Sequence, residues 1–574
     1  MIDSNKDLQS SISMVLGGAA GQGIQALENI LSQVFRLDGY HVFAGKEYMS
    51  RVRGGSNSTL IRVSSQKVRA WTDCIDLFIP LDGDALLHMK KRIQPKTLII
   101  GDQATLKADG PLVDVPIAKM AAEIGGIIYS NVLAAGILSG IFEVNLEILE
   151  KYIQKYFGEK PPDLIEKNLM AAKRGYEAGV ELRKSKKVSL SMTKPPAASI
   201  QPFISGSEAV GLGAIAGGCT FVSSYPMSPG TGTFAFLAKQ SREFGIAVEQ
   251  AEDEMCAANM ILGAWYAGAR GFASTSGGGF ALMSEAISLA GMIETPMVVH
   301  LAQRPGPATG LPTRTEQGDL NLALYAGHGD FSRIILAPGN LEQAFQLTKL
   351  AFQQADTYQV PVILLTDQYL MDCFYDIDEL DFSNIPSEPS WVKTAPDYRR
   401  YAITETGISP RGIPGWGEGF VGVDSDEHDE EGHITENLEL RVGMVEKRLR
   451  KMNFVKKNAL LPDWYGPENC RNSIVCWGST LEMVREAVLA FSLKDTAVLH
   501  FSQIFPLPDE TKILLNRAKN RILIEGNATG QFGRLLKQEF GVECEHQIFK
   551  FNGLPFSVEE LGTSIQKALI LEEQ

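Results

Sequence analysis

An α/β protein built from three successive α/β domains is what this 574-residue sequence predicts, on three observations. Apolar runs alternate with segments of helical periodicity along the chain. In the middle third the runs are CTFVSSYP, GIAVEQ, GFASTS, PMVVHLAQ, FSRIILAP and PVILLTD. Runs that are apolar throughout belong to parallel strands covered on both faces. Glycine is abundant, at 55 residues, as many tight turns between strand and helix require. The length also accommodates several domains at roughly 100–200 residues each.

The first domain is expected over 11–182. It opens with SMVLGGAAGQGIQALENILSQVF, a short apolar run, a glycine turn and a helix. Ile24, Leu27, Ile30, Leu31 and Val34 recur at helical spacing and predict its buried face. Backbone N–H groups at such a helix start can hold phosphate, with Gly21 and Gly23 in the turn. The spacing departs from the dinucleotide fingerprint, and a tight turn that binds nothing fits equally well. Lys46, Arg51 and Arg53 stand in a basic island of this acidic protein and suggest an anion site, or else a solvated charged face. Residues 183–202, basic and rich in Ser and Pro, read as a boundary. The second domain is expected over 203–382 and an extended insertion over 383–470. In that insertion the charged run Ser425–Asn437 predicts an exposed, mobile loop. The third domain, over 471–574, has strands at SIVCWG, TAVLHFSQIFP and RILIEGN.

Composition excludes several functions. A formal charge of −14 argues against nucleic-acid binding. No run reaches the ~18 apolar residues of a membrane span, and the N-terminus lacks the order of a signal peptide. The seven cysteines are dispersed without a CxxC, which fits neither a zinc ribbon nor an iron–sulfur ligand set. They suit a reducing, cytoplasmic setting.

Four segments punctuated by Gly or Pro fall within Ser224–Leu320: SYPMSPGTGTF, EQAEDEMCAANMILGAWYAGARG, STSGGGFALMSE and QRPGPATGLPTRTEQGDL. Such clustering marks loops held over a site by a rigid scaffold. Arg304 ends the predicted strand PMVVHLAQ, where an open parallel sheet presents ligand residues. Arg314 is the alternative cation, and the bland reading is a loop arginine pairing with Glu316 or Asp319. Glu254 begins a helix, where an acid is favoured by the helix dipole alone.

These segments resemble the α subunits of 2-oxoacid:ferredoxin oxidoreductases, in the 2-oxoglutarate branch, and the resemblance covers nearly the whole chain. It implies a γ domain fused ahead of a pyrimidine-binding thiamine-enzyme domain and a transketolase C-terminal-like domain. The reaction implied is reversible oxidative decarboxylation of a 2-oxoacid. Coenzyme A takes the acyl group and ferredoxin the electrons.

Thiamine diphosphate is the implied cofactor. Glu254 is matched to the acid that activates its aminopyrimidine, with Gly263 following at the family's spacing, and Glu252 and Glu249 as alternatives. Tyr225 and Pro226 are matched to cofactor contacts, Arg304 to the residue holding the substrate carboxylate, and Ser228 to the hydroxyl near its carbonyl. Ser228 stands where the family more often has threonine and Met227 where it has isoleucine. Gly278 replaces a proline and makes its loop more flexible, and Ala281 replaces a serine. Coenzyme A contacts are implied near Lys46, Arg51, Arg53, Gly21 and Gly23.

The GDG start of a diphosphate–Mg²⁺ site does not occur, and only DGD at Asp82–Asp84 and HGD at His328–Asp330 come near it. The resemblance accordingly implies that Mg²⁺ and a [4Fe–4S] cluster belong to a separate β subunit, within an (αβ)₂ assembly, and no metal is expected in this chain. A thiamine enzyme using another electron acceptor, and a non-catalytic coenzyme A-binding or assembly subunit, are the competing readings.

Overall fold

The computed structural model describes residues 8–9, 11–19, 22–49, 55–107, 111–193, 201–383 and 390–571. The chain forms two compact α/β units. The first comprises residues 1–204, 373–379 and 557–559, and the second the remainder.

The first unit is built on an eight-stranded mixed sheet. Its order is Val113–Asp114, Leu98–Gly101, Leu77–Pro80, Ser11–Ala19, Ser56–Ser64, His41–Glu47, Phe374–Asp376 and Phe203–Ser205. The four strands from Val113–Asp114 to Ser11–Ala19 run parallel, and Ser56–Ser64, His41–Glu47 and Phe374–Asp376 then pair antiparallel in turn. Helix Ile24–Leu37 buries the five positions that its periodicity marks. Helix Ser130–Ile141 is apolar all round because it is enclosed, with ten of its twelve residues buried. It crosses helix Pro162–Lys184 at glycines: a Cβ on Gly136 or Gly140 would lie 2.3 or 2.2 Å from a backbone oxygen of Ala172 or Tyr176. Two backbones this close leave no room for side chains between them. Phe374–Asp376 lies far along the chain from its neighbours in this sheet. Asp376 fastens it there, accepting from the Val42 N–H at 2.9 Å and pairing with His41 Nδ1 at 2.6 Å.

The second unit holds two sheets. The seven-stranded one is ordered Ala247–Gln250, Phe221–Ser224, Gly271–Thr275, Met297–Gln303, Pro361–Asp367, Ile334–Leu336 and Gln503–Phe505. The first six are parallel and the last is antiparallel. The interior strands Gly271–Thr275, Met297–Gln303 and Pro361–Asp367 are buried at every position, as strands covered on both faces are, and their polar residues include Ser274, His300 and Thr366, which bond to one another. The five-stranded sheet is ordered Asp463–Tyr465, Thr496–Phe501, Asn472–Trp477, Asn520–Glu525 and His546–Phe549. One core joins the two sheets, with Phe280, Leu301 and Ile335 packed in the same cluster as Trp477, Phe501 and Phe532.

Between them, the described part of 383–470 carries a parallel ribbon, Trp391–Thr394 with Arg411–Gly417, and helix Leu438–Lys457. The loop Ser425–Asn437 is exposed over much of its length, as its charge suggests, but it is anchored at two residues. His428 is fully buried with its ring 3.9 Å from that of Tyr401, and Glu427 accepts from Arg448 at 2.8 Å and pairs with Arg441. The charge run is thus partly consumed in anchoring. Among the described residues no single helix is long and apolar enough to cross a membrane.

Candidate active site

Parallel strands of the seven-stranded sheet deliver the four glycine- and proline-rich segments to one edge. Ser224, Gln250, Thr275 and Gln303 are the last residues of adjacent strands, and each leads directly into one of these segments.

Glu254 is the first residue of helix Glu254–Tyr266, whose start is fixed by Asp253 accepting from the Cys256 N–H at 2.7 Å. Only 3% of Glu254 is exposed, whereas Glu249 and Glu252 face solvent. Its Oε1 has no hydrogen-bond partner among the described residues. Burial raises its pKa above the usual carboxylate range, with its own backbone hydrogen bond opposing and Asp253 adding to the rise. A buried carboxyl with an unmet oxygen is costly unless something else satisfies it.

The start of helix Gly277–Leu282, with Ser276 before it, is the hub. A Cβ on Gly279 would lie 2.4 Å from Glu254 Oε1 and 2.2 Å from Thr275 Oγ1, so the carboxyl rests against bare backbone. A Cβ on Gly277 would lie 2.5 Å from Asp319 Oδ2. Gly278, the position that departs from the family pattern, is instead open: the nearest atoms are Ala308 O at 3.9 Å and Met227 Sδ at 4.0 Å. Glycine is therefore required at 277 and 279. Ser276 Oγ is also buried without a partner among the described residues.

Arg304 and Ser228 come together, but through the backbone: Arg304 Nη1 donates to the Ser228 carbonyl at 2.8 Å. Ser228, Tyr225 and Pro226 are exposed. Arg314 faces elsewhere, with its Cβ 3.1 Å from the place a Cβ on Gly553 would occupy.

Sequence reasoning missed Asp319 as a site residue. Its N–H donates to Gln303 Oε1 at 2.9 Å, and Gln303 Nε2 donates to the Thr366 carbonyl at 3.0 Å. Burial pushes its pKa up to about 6, with Arg304 opposing. Beneath the site, Ser274 Oγ meets His300 Nδ1 at 2.8 Å and His300 Nε2 meets Thr366 Oγ1 at 2.7 Å, crosslinking three strands.

The segment Thr313–Leu320 also clasps the five-stranded-sheet region. The Gln317 N–H donates to Gly526 O at 2.7 Å, Gly526 N–H returns to Gln317 Oε1 at 2.8 Å, and Gln317 Nε2 donates to Trp477 O at 2.9 Å.

In the first unit, Arg51, Arg53 and Gly21 lie outside the described residues. Lys46 pairs with buried Glu28 at 3.6 Å and sits 4.5 Å from the Phe374 ring. Gly23 caps helix Ile24–Leu37 with a φ of 76° and lines a cavity of about 460 Å³ with Gln22, Leu81, Asp102, Ile127 and Asn131. Lys46 lines a different cavity, of about 280 Å³, so the two are not brought to one pocket.

Residues 13–178 match the family described as pyruvate ferredoxin/flavodoxin oxidoreductase. Residues 212–447 match the one described as pyruvate flavodoxin/ferredoxin oxidoreductase, thiamine diP-bdg. The 2-oxoacid:ferredoxin oxidoreductase subunit alpha of a Sulfolobus species is 31% identical over 628 aligned residues, covering 97% of both chains. The 2-oxoglutarate oxidoreductase subunit KorA of Mycobacterium tuberculosis is 30% identical over 76% of this chain and 68% of its own. A solved structure, the 2-oxoglutarate:ferredoxin oxidoreductase from Magnetococcus marinus with 2-oxoglutarate, coenzyme A and succinyl-CoA bound, superposes with a TM-score of 0.91 at 29% identity, over 97% of this chain and 99% of that one. With such similarity sustained end to end, the chain belongs to the family of 2-oxoacid:ferredoxin oxidoreductase α subunits.

Proposed function

We propose that this chain, with its γ-type first domain, is the catalytic α subunit of an enzyme that oxidises 2-oxoglutarate to its acyl-coenzyme A and CO₂. Ferredoxin takes the electrons. Thiamine diphosphate is shared with a β subunit that brings Mg²⁺ and a [4Fe–4S] cluster, and the assembly is (αβ)₂ in the cytoplasm. The domain assignments of 11–182, 203–382 and 471–574, with 383–470 as an insertion, belong to this reading.

What carries it is Glu254, a buried acid with an unmet oxygen against Gly279 at the carboxyl edge of a parallel sheet. The residues fit the cofactor: Glu254 Oε1 and Ser276 Oγ are enclosed polar atoms waiting for a partner, and Gly279 leaves bare backbone beside them. Thiamine diphosphate, when bound, supplies the nucleophilic carbon that attacks a 2-oxoacid carbonyl. Glu254 would hold and share a proton with a pyrimidine ring nitrogen, a task suited to an acid whose pKa burial has raised. Arg304 would hold the substrate carboxylate, its Nη1 aimed by the Ser228 carbonyl, with the Ser228 hydroxyl and the exposed Tyr225 and Pro226 lining the approach. The cavity at Gly23 is the part of the first unit we assign to coenzyme A. Arg51, Arg53 and Gly21 are kept as its phosphate contacts, and Lys46 would join them only by leaving Glu28. The 2-oxoglutarate preference rests on the relatives named for that substrate.

The test is anaerobic reduction of a viologen dye by the chain assembled with its β subunit, with 2-oxoglutarate, pyruvate and branched 2-oxoacids compared in the presence of coenzyme A. Highest kcat/KM with 2-oxoglutarate supports the reading. Preference for pyruvate overturns the substrate assignment, and reduction by none of them overturns the function.

A further inference from the structure

The Asp319 carboxyl lies against Gly277, at the start of helix Gly277–Leu282. Its Oδ2 is fully enclosed and without a hydrogen-bond partner among the described residues, and it presses on Gly277. The N–H of the same residue is tied to Gln303, the neighbour of Arg304 in sequence. The charged groups coupled to it are Arg304, which follows strand Met297–Gln303, and Glu316 on its own segment, while Glu254 rests against Gly279, two residues along the same helix from Gly277. Arg304 is the cation coupled to Asp319, yet among the described residues the two form no ion pair. The arginine instead spends one donor on a neutral carbonyl.

We propose that Asp319 is a positioning residue that gates the charge of the substrate subsite: ionised, it cancels the field of Arg304, and protonated, it leaves that field to a carboxylate ligand. The inference rests on the reading of Arg304 as the substrate-carboxylate residue.

The sign follows from charge counting. A 2-oxoacid is an anion throughout the working pH range. Asp319 holds its proton unusually well, and a bound carboxylate beside it makes it hold that proton more tightly still. Binding therefore takes up a proton near neutral pH, and by reciprocity affinity falls as pH rises through the titration of Asp319. A side chain that only braced the loop would do neither.

The experiment is calorimetric titration of the assembled enzyme with 2-oxoglutarate, without coenzyme A, in buffers of different ionisation enthalpy across pH. For the parent, Kd is expected to rise about fivefold from roughly pH 5 to pH 7.5, with proton uptake on binding. Asp319→Asn is expected to bind with a Kd flat across that range and without the proton uptake, and Asp319→Ser serves if the first variant folds poorly. The same pH step and uptake in both variants would overturn the role of Asp319 while leaving the substrate reading intact. No binding of 2-oxoglutarate by the parent at any pH, while Arg304→Gln behaves identically, would instead remove the reading on which the proposal rests, and the proposal with it.

Discussion

At Gly279 the site has no slack. An added methyl group would fall within 2.4 Å of Glu254 Oε1, whereas the same change one residue earlier meets nothing closer than 3.9 Å. Gly279→Ala is therefore expected to displace the Glu254 carboxyl and lower kcat by at least about tenfold, and Gly278→Ala to stay within about twofold of the parent. Dye-reduction rates of the two variants check this, and equal effects would contradict the packing. The contrast also shows what was legible in the sequence. Glu254 stands out there because it opens a helix of small residues at a recognisable distance from Gly263, and its burial then separates it from exposed Glu249 and Glu252. Asp319 was hidden because nothing in a loop sequence tells which acid turns inward. The choice between three adjacent glycines depends on which neighbours approach them, and that is set by strands distant in sequence.

At the scale of elements, the insertion helix Leu438–Lys457 is pinned to the turn before strand Met297–Gln303 by buried charge. Lys447 Nζ lies 2.6 Å and Lys451 Nζ 2.5 Å from the Glu294 carboxylate, and all three side chains are at most 2% exposed. Burial alone would raise the Glu294 pKa, but Lys451 and Lys447 outweigh it and hold the acid ionised, while burial brings Lys451 down to about 8. Glu294→Gln leaves two buried ammonium groups without their counter-charge and is expected to cost about 3–5 kcal/mol, read from denaturant unfolding. A loss under about 1 kcal/mol would mean that the pair is dispensable.

The strand crosslink through His300 makes a second element-scale prediction. Burial lowers the pKa of this fully enclosed imidazole from 6.5 to about 3. Below 6.5 the unfolded chain takes a proton that the native state refuses. The stability present above that pH is therefore lost as pH falls toward 3, at up to about 1.4 kcal/mol per pH unit. His300→Gln should flatten that limb of the stability profile, and an unchanged slope would place the titration elsewhere. The order of these strands could not be read from their apolar runs, which look alike. The anchoring of the Ser425–Asn437 run was hidden for a related reason: its counter-ions, Arg441 and Arg448, lie on a separate helix, and a charge run does not show which of its acids they will meet.

At the scale of the whole molecule, the chain reads as one part of a larger enzyme. Apolar side chains stay exposed on and beside the site-bearing segments, among them Tyr225 at 40%, Met255 at 49%, Leu282 at 49% and Leu311 at 50%. Such a surface on a folded protein is suited to a partner. Met255→Asp is expected to weaken association with the β subunit by about tenfold or more in sedimentation velocity, with the thermal midpoint of the isolated chain unchanged; undiminished association would place the interface elsewhere. The α/β character was legible from the alternation of apolar runs with helical periodicity. The joining of Phe374–Asp376 to the first sheet was not, because three residues carry no pattern.

The central claim is that Glu254 is the proton-sharing acid of the site, and one comparison tests it most directly: 2-oxoacid- and coenzyme A-dependent viologen reduction by the assembled enzyme with Glu254 and with Glu254→Gln, alongside the thermal midpoint of each. The raised pKa means that ionising this buried group costs stability as pH rises past its ordinary value, so the amide should fold at least as stably at neutral pH. The account predicts a fall in kcat of about a hundredfold or more with no loss of thermal stability. Near-parental turnover by a well-folded Glu254→Gln enzyme would contradict it.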